Sequence, residues 1–388
     1  MITTPIQGYD DTTMSQIITD IVNIITEIAN KFTLCVLPTQ QGKTFVAIHD
    51  TLAKLTEDAR LGRSIHMIFT MNTLLNNNQF ALRLREAETI YGQGSVVIFA
   101  SSYDGDFTHV SSLLELQGLC IQESTTPRIV VMCSHKQRFD DGLKFLQVLN
   151  EGSTHIKRAF AICDELHQYI NNPNLRLKIE TMNNLQITKG IMALTGTPRP
   201  IFHPSKFWKN IHVHYLSNYN DENYVGCNEM IFNETDEPSR IHSHLITPEE
   251  FDEYTKLGDK GREGIGFIKY ILNMHPEILA PGSRSFIPAY NACVTHTAVR
   301  KVVFAQAHDA VVVIINGLEK TLQYKVDDYI KTHLLSMDNT VEVCERISIL
   351  FQEHNLYERP LVVTGFNCVG MGQTLAHKNL GSFTSAIF

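Results

Sequence analysis

Short apolar runs punctuate the chain, and longer amphipathic stretches separate them. The runs at 32–37, 65–70, 95–100, 129–133 and 159–163 are rich in β-branched, aliphatic and aromatic residues. Runs of this length and composition predict strands buried on both faces. Between them, the segment opening with Phe45, Val46 and Ile48 and the stretches 72–87, 108–117 and 140–149 read as helices. Strands alternating with helices predict βαβ units and a parallel sheet covered on both sides. Ahead of the first strand, Ile17, Ile21, Ile24 and Ile28 recur at helical spacing, so 15–29 is expected to be an amphipathic helix with a packing role. A further short strand is expected at 191–194.

The pattern breaks over 201–283, where Pro, His, Asn and acidic residues dominate and apolar pieces are short. This reads as a segment between lobes, carrying an insertion. The glycine-spaced stretch 256–262 within it reads as a loop. Alternation resumes with a strand at 285–288, a helix at 294–307, a strand at 310–315, a helix at 340–354, a strand at 361–364 and a last one at the end of the chain. The expected fold class is α/β, with two parallel-sheet lobes. The expected divisions are a first lobe over 1–200, the inserted segment over 201–283 and a second lobe over 284–388.

Composition narrows the picture modestly. A chain of 388 residues exceeds a single compact core, and 43% hydrophobic residues suffice to build two. The net charge of −8 argues against a protein coated in basic residues and leaves a local basic groove open. Eight cysteines at 35, 120, 133, 163, 227, 293, 344 and 368 form no C-x-x-C pair, and several lie in strand-like runs. They read as reduced core thiols and an intracellular compartment. No apolar run approaches the length of a membrane span, so the expectation is a soluble protein.

Chemistry concentrates after the strand-like runs. In 32–44, FTLCVLPTQQGKT, a strand leads through a polar loop into Gly42, Lys43 and Thr44 and then into a helix. Free N–H groups and the dipole at such a helix start bind anions. Thr39, Gln40, Gln41 and Gly42 would line a triphosphate, Lys43 would reach its β and γ phosphates, and Thr44 would ligate Mg²⁺. Leu37 stands where the eight-residue loop pattern has its first glycine. Asp164 and Glu165 end the strand at 159–163, where ligands of open α/β sheets bind. Asp164 suits Mg²⁺, and Glu165 suits orienting or deprotonating the attacking water. Thr195 and Thr197 follow the strand at 191–194, and their hydroxyls can bond back to that acid pair. The pairs His212/His214 and His242/His244, with Cys227, lack a tight Cys/His cluster and read as ordinary histidines rather than a metal centre.

Gln40-Gln41-Gly42-Lys43-Thr44, Asp164-Glu165-Leu166-His167 and Thr195-Gly196-Thr197, in that order, resemble motifs I, II and III of superfamily-two helicases of the DEAD/DEAH-like class. The resemblance implies RecA-like lobes of the P-loop NTPase type, ATP and Mg²⁺ as cofactors, and DNA or RNA as partner. It implies nucleic-acid contacts at Thr70 and Asn72 and at Ser134 and Lys136. Thr364-Gly365-Phe366 with 370–375, GMGQTL, resembles motif V. That implies nucleotide contacts from Gly372 and Gln373 and nucleic-acid contacts from Thr364 and Thr374. Catalysis would fall to Lys43, Asp164 and Glu165, and coupling to Thr195 and Thr197. Nothing before Phe388 resembles motif VI with its paired arginines, so the second lobe is expected to be truncated and hydrolysis weak. The overall look is similar to helicase-like proteins of large DNA viruses and phages. Alternatives left open are a duplex translocase serving a nuclease or packaging motor, and a nucleotide-sensing scaffold.

Overall fold

A computed structural model of the chain describes residues 32–37, 42–71, 74–103, 105–152, 155–168, 170, 172–197, 200–201, 211–215, 244–247, 249–250, 257–289, 292–335, 343–365, 377–381 and 383–387. The expected helix over 15–29 lies outside these residues, as do Cys227 and His242. The chain divides into two compact units, Met1–Met230 and Ile231–Phe388.

The first unit is α/β. Its strands are β1 (Phe32–Val36), β2 (Ser64–Thr70), β3 (Val96–Phe99), β4 (Thr108–Val110), β5 (Ile129–Cys133), β6 (Arg158–Cys163), β7 (Thr188–Thr195) and β8 (His212–Tyr215). They form one sheet in the order β4-β3-β5-β2-β6-β7-β1-β8, with every pairing parallel. The helices longer than one turn are α1 (Lys43–Thr56), α2 (Leu74–Arg83), α3 (Arg85–Tyr91), α4 (Leu113–Leu119), α5 (Lys136–Gly152) and α6 (Pro173–Asn184), and a single turn over Asp58–Leu61 follows α1.

Side-chain alternation along the strands builds two cores. Leu34, Met67, Phe69, Val130 and Ala161 enter one cluster with Phe139, Phe145 and Leu146 of α5 and Ile179 of α6. Cys35, Ile68, Val131 and Ile162 enter the other with Val46 and Ala47 of α1 and Phe80 and Ala81 of α2. A strand buried on both faces has no polar stripe, which is why these segments read as uninterrupted apolar runs.

The second unit contains α7 (Gly258–Met274), β9 (Arg284–Phe286), α8 (Cys293–Gln306), β10 (Val311–Ile315), β11 (Lys320–Val326), β12 (Tyr329–Leu334), α9 (Val343–Glu353), β13 (Leu361–Thr364) and β14 (Ser385–Ala386). Its sheet runs β12-β11-β10-β13-β9-β14. The part from β10 to β14 is parallel, and β11 and β12 add to it as an antiparallel hairpin. Arg284 lies at the start of β9 and donates to the carbonyls of Ser283, Tyr357, Arg359 and Leu380, with its guanidinium over the Phe351 ring.

Several expected elements are corrected. The stretch 108–117 is not one helix: Thr108–Val110 pairs with β3, and the helix starts after Ser112, whose hydroxyl accepts from Glu115 N–H as its cap. Within the expected loop 256–262, residues from Gly258 onward are the start of α7. Its glycines lower intrinsic helicity, but Ile265, Ile268 and Leu272 pack into the core beside Val299 and Val302 of α8, and packing outweighs propensity. The second sheet is mixed, because Leu322 and Tyr324 alternate with Thr321 and Gln323 along a strand buried on both faces, and Asp327 at φ 55 turns the chain back.

Candidate functional site

Three strand ends make the site. β1 lies beside β7, with Val36 opposite Thr195, and Leu37 N–H donates to Thr195 O at 3.0 Å. β7 in turn lies beside β6, with Cys163 opposite Ala193. Because all three are parallel, the residues that follow them emerge on the same edge of the sheet. Segments separated by more than a hundred residues of sequence therefore meet there.

After β1 the chain enters α1 through Gly42, whose φ of 80° is left-handed and whose carbonyl accepts from Val46 N–H. A side chain at position 42 would be strained in that conformation. Lys43 is the first residue of the helix and is buried. Its Nζ lies 3.0 Å from Glu165 Oε1. Both side chains are 10% exposed, so the pair is desolvated, and removing either partner would leave a charge uncompensated.

Glu165 itself has φ 47, uncommon outside glycine. That turn follows Asp164, whose N–H still donates to Phe69 O in sheet fashion at 2.9 Å, and it precedes a helical turn over Leu166–Gln168. Strain of this kind persists where the surroundings fix it, and it is concentrated at functional sites. Here it sets two consecutive carboxylates at one strand end. The Asp164 carboxyl is pushed up to about 7, first by burial and next by the neighbouring Glu165 charge, against the opposing pull of Lys43.

His167 ties the acid pair to β7. Its Nδ1 is 3.3 Å from Glu165 Oε2 and 3.0 Å from Thr195 Oγ1. A carboxylate at that distance selects the tautomer with hydrogen on Nδ1, so the ring donates to the carboxylate or to the hydroxyl. Burial lowers the His167 pKa, and the Glu165 charge works in the opposite direction. Thr195 is fully buried, and its Oγ1 also accepts from Thr197 N–H at 3.1 Å.

Lys43, Asp164, Glu165 and Thr195 thus stand together in the first unit, with Thr44 half-buried in the first turn of α1. Thr195 reaches the acid pair through His167, a residue to which the sequence assigned no role, and Thr197 contributes its backbone N–H. Thr70 requires correction as a nucleic-acid contact, because it is fully buried and its hydroxyl donates to Asn77 Oδ1. Ser134 is buried and donates its N–H to Thr70 O, while Lys136 is exposed at the first position of α5. In the second unit Thr364 ends β13, fully buried, its hydroxyl without a partner among the described residues. Thr39, Gln40, Gln41, Asn72, Gly372, Gln373 and Thr374 lie outside the described residues. Among the described residues no group of three His, Cys, Asp or Glu could hold a metal ion, and no helix is long and apolar enough to cross a membrane.

No protein-family model matches the sequence, and no curated protein matches it. Solved structures similar to the chain include the Escherichia coli DEAH/RHA helicase HrpB, with a TM-score of 0.49 at 12% identity over 93% of this chain and 35% of that one. The helicase domain of Pyrococcus furiosus Hef gives a TM-score of 0.42 at 10% identity over 91% of this chain and 85% of that one. A variant of S. cerevisiae Dbp5 bound to Nup159, Gle1, IP6 and ADP gives 0.40 at 10% identity over 91% of this chain and 72% of that one.

Proposed function

We propose that the chain is an ATP-dependent motor of helicase or translocase type that couples nucleotide hydrolysis to movement on nucleic acid. The observation that carries this reading is the buried contact of Lys43 Nζ with Glu165 Oε1 at 3.0 Å, at the junction of a left-handed glycine and a helix start. A cationic amine and two carboxylates on one sheet edge, beside a helix N-terminus without a side-chain cap from Gly42, fit a magnesium triphosphate in charge and donor type. Thr44 and Asp164 would hold the divalent ion, and Lys43 with Gly42 would hold the phosphates. When bound, Mg²⁺-ATP supplies the phosphoryl group to be transferred and the cationic charge that offsets two buried carboxylates.

The roles of the chain's own residues follow from their contacts. Lys43 offsets the buried charge of Glu165 at 3.0 Å, so neither group stands uncompensated at the strand end. Glu165, fixed by its backbone turn and by His167, can orient a water and accept its proton at a carboxylate oxygen. His167 and Thr195 link that carboxylate to the end of β7, so a shift of the strand end is felt at the base. Lys136 offers an exposed cation at the start of α5 for a phosphate of the nucleic-acid backbone.

The test is steady-state ATP turnover by the full chain, with and without single-stranded DNA or RNA. Lys43→Ala is expected to abolish turnover. Glu165→Gln is expected to bind ATP and to lower turnover about a hundredfold or more, the scale of losing a general base. Normal hydrolysis by the Glu165→Gln protein would refute the assigned role. A recessed-duplex unwinding assay beside a triplex-displacement assay separates a strand-separating enzyme from a duplex translocase.

A further inference from the structure

The end of β2 stands between two other strand ends. β5, on one side, leads to Ser134 and Lys136, and β6, on the other, leads to Asp164 and Glu165. Two consecutive carbonyls of β2 serve these neighbours. Phe69 O accepts from Asp164 N–H at 2.9 Å, and Thr70 O accepts from Ser134 N–H at 2.8 Å. The acid pair and the segment carrying Lys136 are therefore joined through adjacent peptide groups.

That junction is held by a buried polar clasp. Thr70 Oγ1 donates to Asn77 Oδ1, and Asn77 Nδ2 donates to Cys133 Sγ at 3.3 Å. Thr70 and Asn77 are fully buried, Cys133 nearly so, and Thr70 stands opposite Cys133 in the sheet register. Asn77 comes from α2, so one amide fixes the last residue of β2 and the last residue of β5 to the same helix. The amide adds a fixed register at the position where two candidate sites share their backbone hydrogen bonds.

We propose that the Thr70–Asn77–Cys133 clasp is a positioning element that couples occupancy of the nucleic-acid segment at Ser134–Lys136 to the acid pair at Asp164–Glu165. Thr70 acts through Asn77 and touches neither ligand. The inference rests on the motor reading above and adds to it the path by which a bound strand raises ATP turnover. With the clasp intact, a displacement of Ser134 moves Thr70 and Phe69 together, and Phe69 O carries it to Asp164. Without the clasp, the end of β2 can relax by itself, and binding energy at Lys136 is lost before it reaches the carboxylates.

The experiment compares basal and strand-stimulated ATP turnover of the full chain in the wild type and in Asn77→Leu, Thr70→Val and Thr70→Ser, using a homopolymeric single-stranded DNA and RNA as probes. In Asn77→Leu, the strand concentration for half-maximal stimulation is expected to rise about tenfold, the scale of losing one buried hydrogen bond, since the Thr70 hydroxyl then has only the Met71 carbonyl, at 3.1 Å, to donate to. Its basal turnover and KM for ATP are expected to stay within about twofold of wild type, since Asn77 touches neither the amine nor the acids. Thr70→Val removes the same hydroxyl in nearly the same volume and is expected to behave like Asn77→Leu, whereas Thr70→Ser keeps the hydroxyl and is expected to restore coupling. If Asn77→Leu fails to fold, the contrast between Thr70→Val and Thr70→Ser decides the question. Unchanged half-maximal strand concentration in Asn77→Leu and Thr70→Val would overturn the coupling role. So would a proportional loss of basal and stimulated turnover with a lowered melting midpoint, which would mark the clasp as merely structural. A wild-type chain that hydrolyses ATP but is stimulated by neither polymer would overturn the motor reading, and this inference with it.

Discussion

Asp164 is the residue whose titration can be followed without any ligand. Its carboxyl keeps a proton up to about pH 7 in the folded chain, against an ordinary value of 3.8. The folded state is therefore the tighter proton binder between those values, and the Asp164 contribution to stability is complete below about 4 and lost as pH rises through about 7. His66 has the opposite slope, since burial and the charges of Lys54, Arg158 and Arg128 push its pKa well below the usual range. A comparison with Asp164→Asn isolates the carboxylate. The melting midpoint of the nucleotide-free wild type should fall relative to that variant as pH is raised from 4 towards 7, and parallel curves would rule out the protonated acid. At this scale the sequence pointed to residues that the fold brings together, and it hid one link between them. Lys43, Asp164, Glu165 and Thr195 are identifiable by residue type after strand-like runs. The role of His167 depends on which strand end lies beside it, and no local pattern encodes that.

Among the elements, β9 shows how one buried cation ties several chain segments together. Arg284 donates to four carbonyls, drawing together the segments around Leu380, Arg359 and Tyr357. Arg284→Met would keep the contact with Phe351 but leave carbonyls without their donor, so a loss of about 3 kcal/mol is expected. A urea midpoint measured on the second unit's signal checks this, and a change below about 0.5 kcal/mol, typical of surface substitutions, would show that water replaces the guanidinium. The strands were legible because burial on both faces leaves an unbroken apolar run. The elements that escaped are those whose signal is mixed. The hairpin of β11 and β12 alternates polar and apolar residues while burying both faces of β11, and α7 carries glycines at four positions that packing tolerates. Helix α6 begins at Pro173 after an Asn172 cap and buries only Leu175, Ile179 and Met182, a stripe that a polar surrounding obscures.

For the whole molecule, the division at Met230 and Ile231 places every described residue of the amine and acid site in the first unit, which has two apolar clusters of its own. A fragment of residues 1–230 should therefore bind ATP with an affinity within about tenfold of the full chain, a difference of about 1.4 kcal/mol. Calorimetric titration decides this, and no binding by a folded fragment would mean that the second unit supplies nucleotide contacts.

The sheet order has one more consequence, for how the protein comes into being. Among the described strands of its sheet, β1 comes first in sequence and is wedged between the last two, β7 and β8, so it has neither of these lateral partners until most of the unit has been translated. Closing such long chain loops is slow, and a bare apolar strand waiting for them is the segment most exposed to self-association. Competence to hold nucleotide should then appear only after β7 has been translated, with the second unit still to come. A truncated transcript ending before Thr188 should yield a chain that chaperones retain.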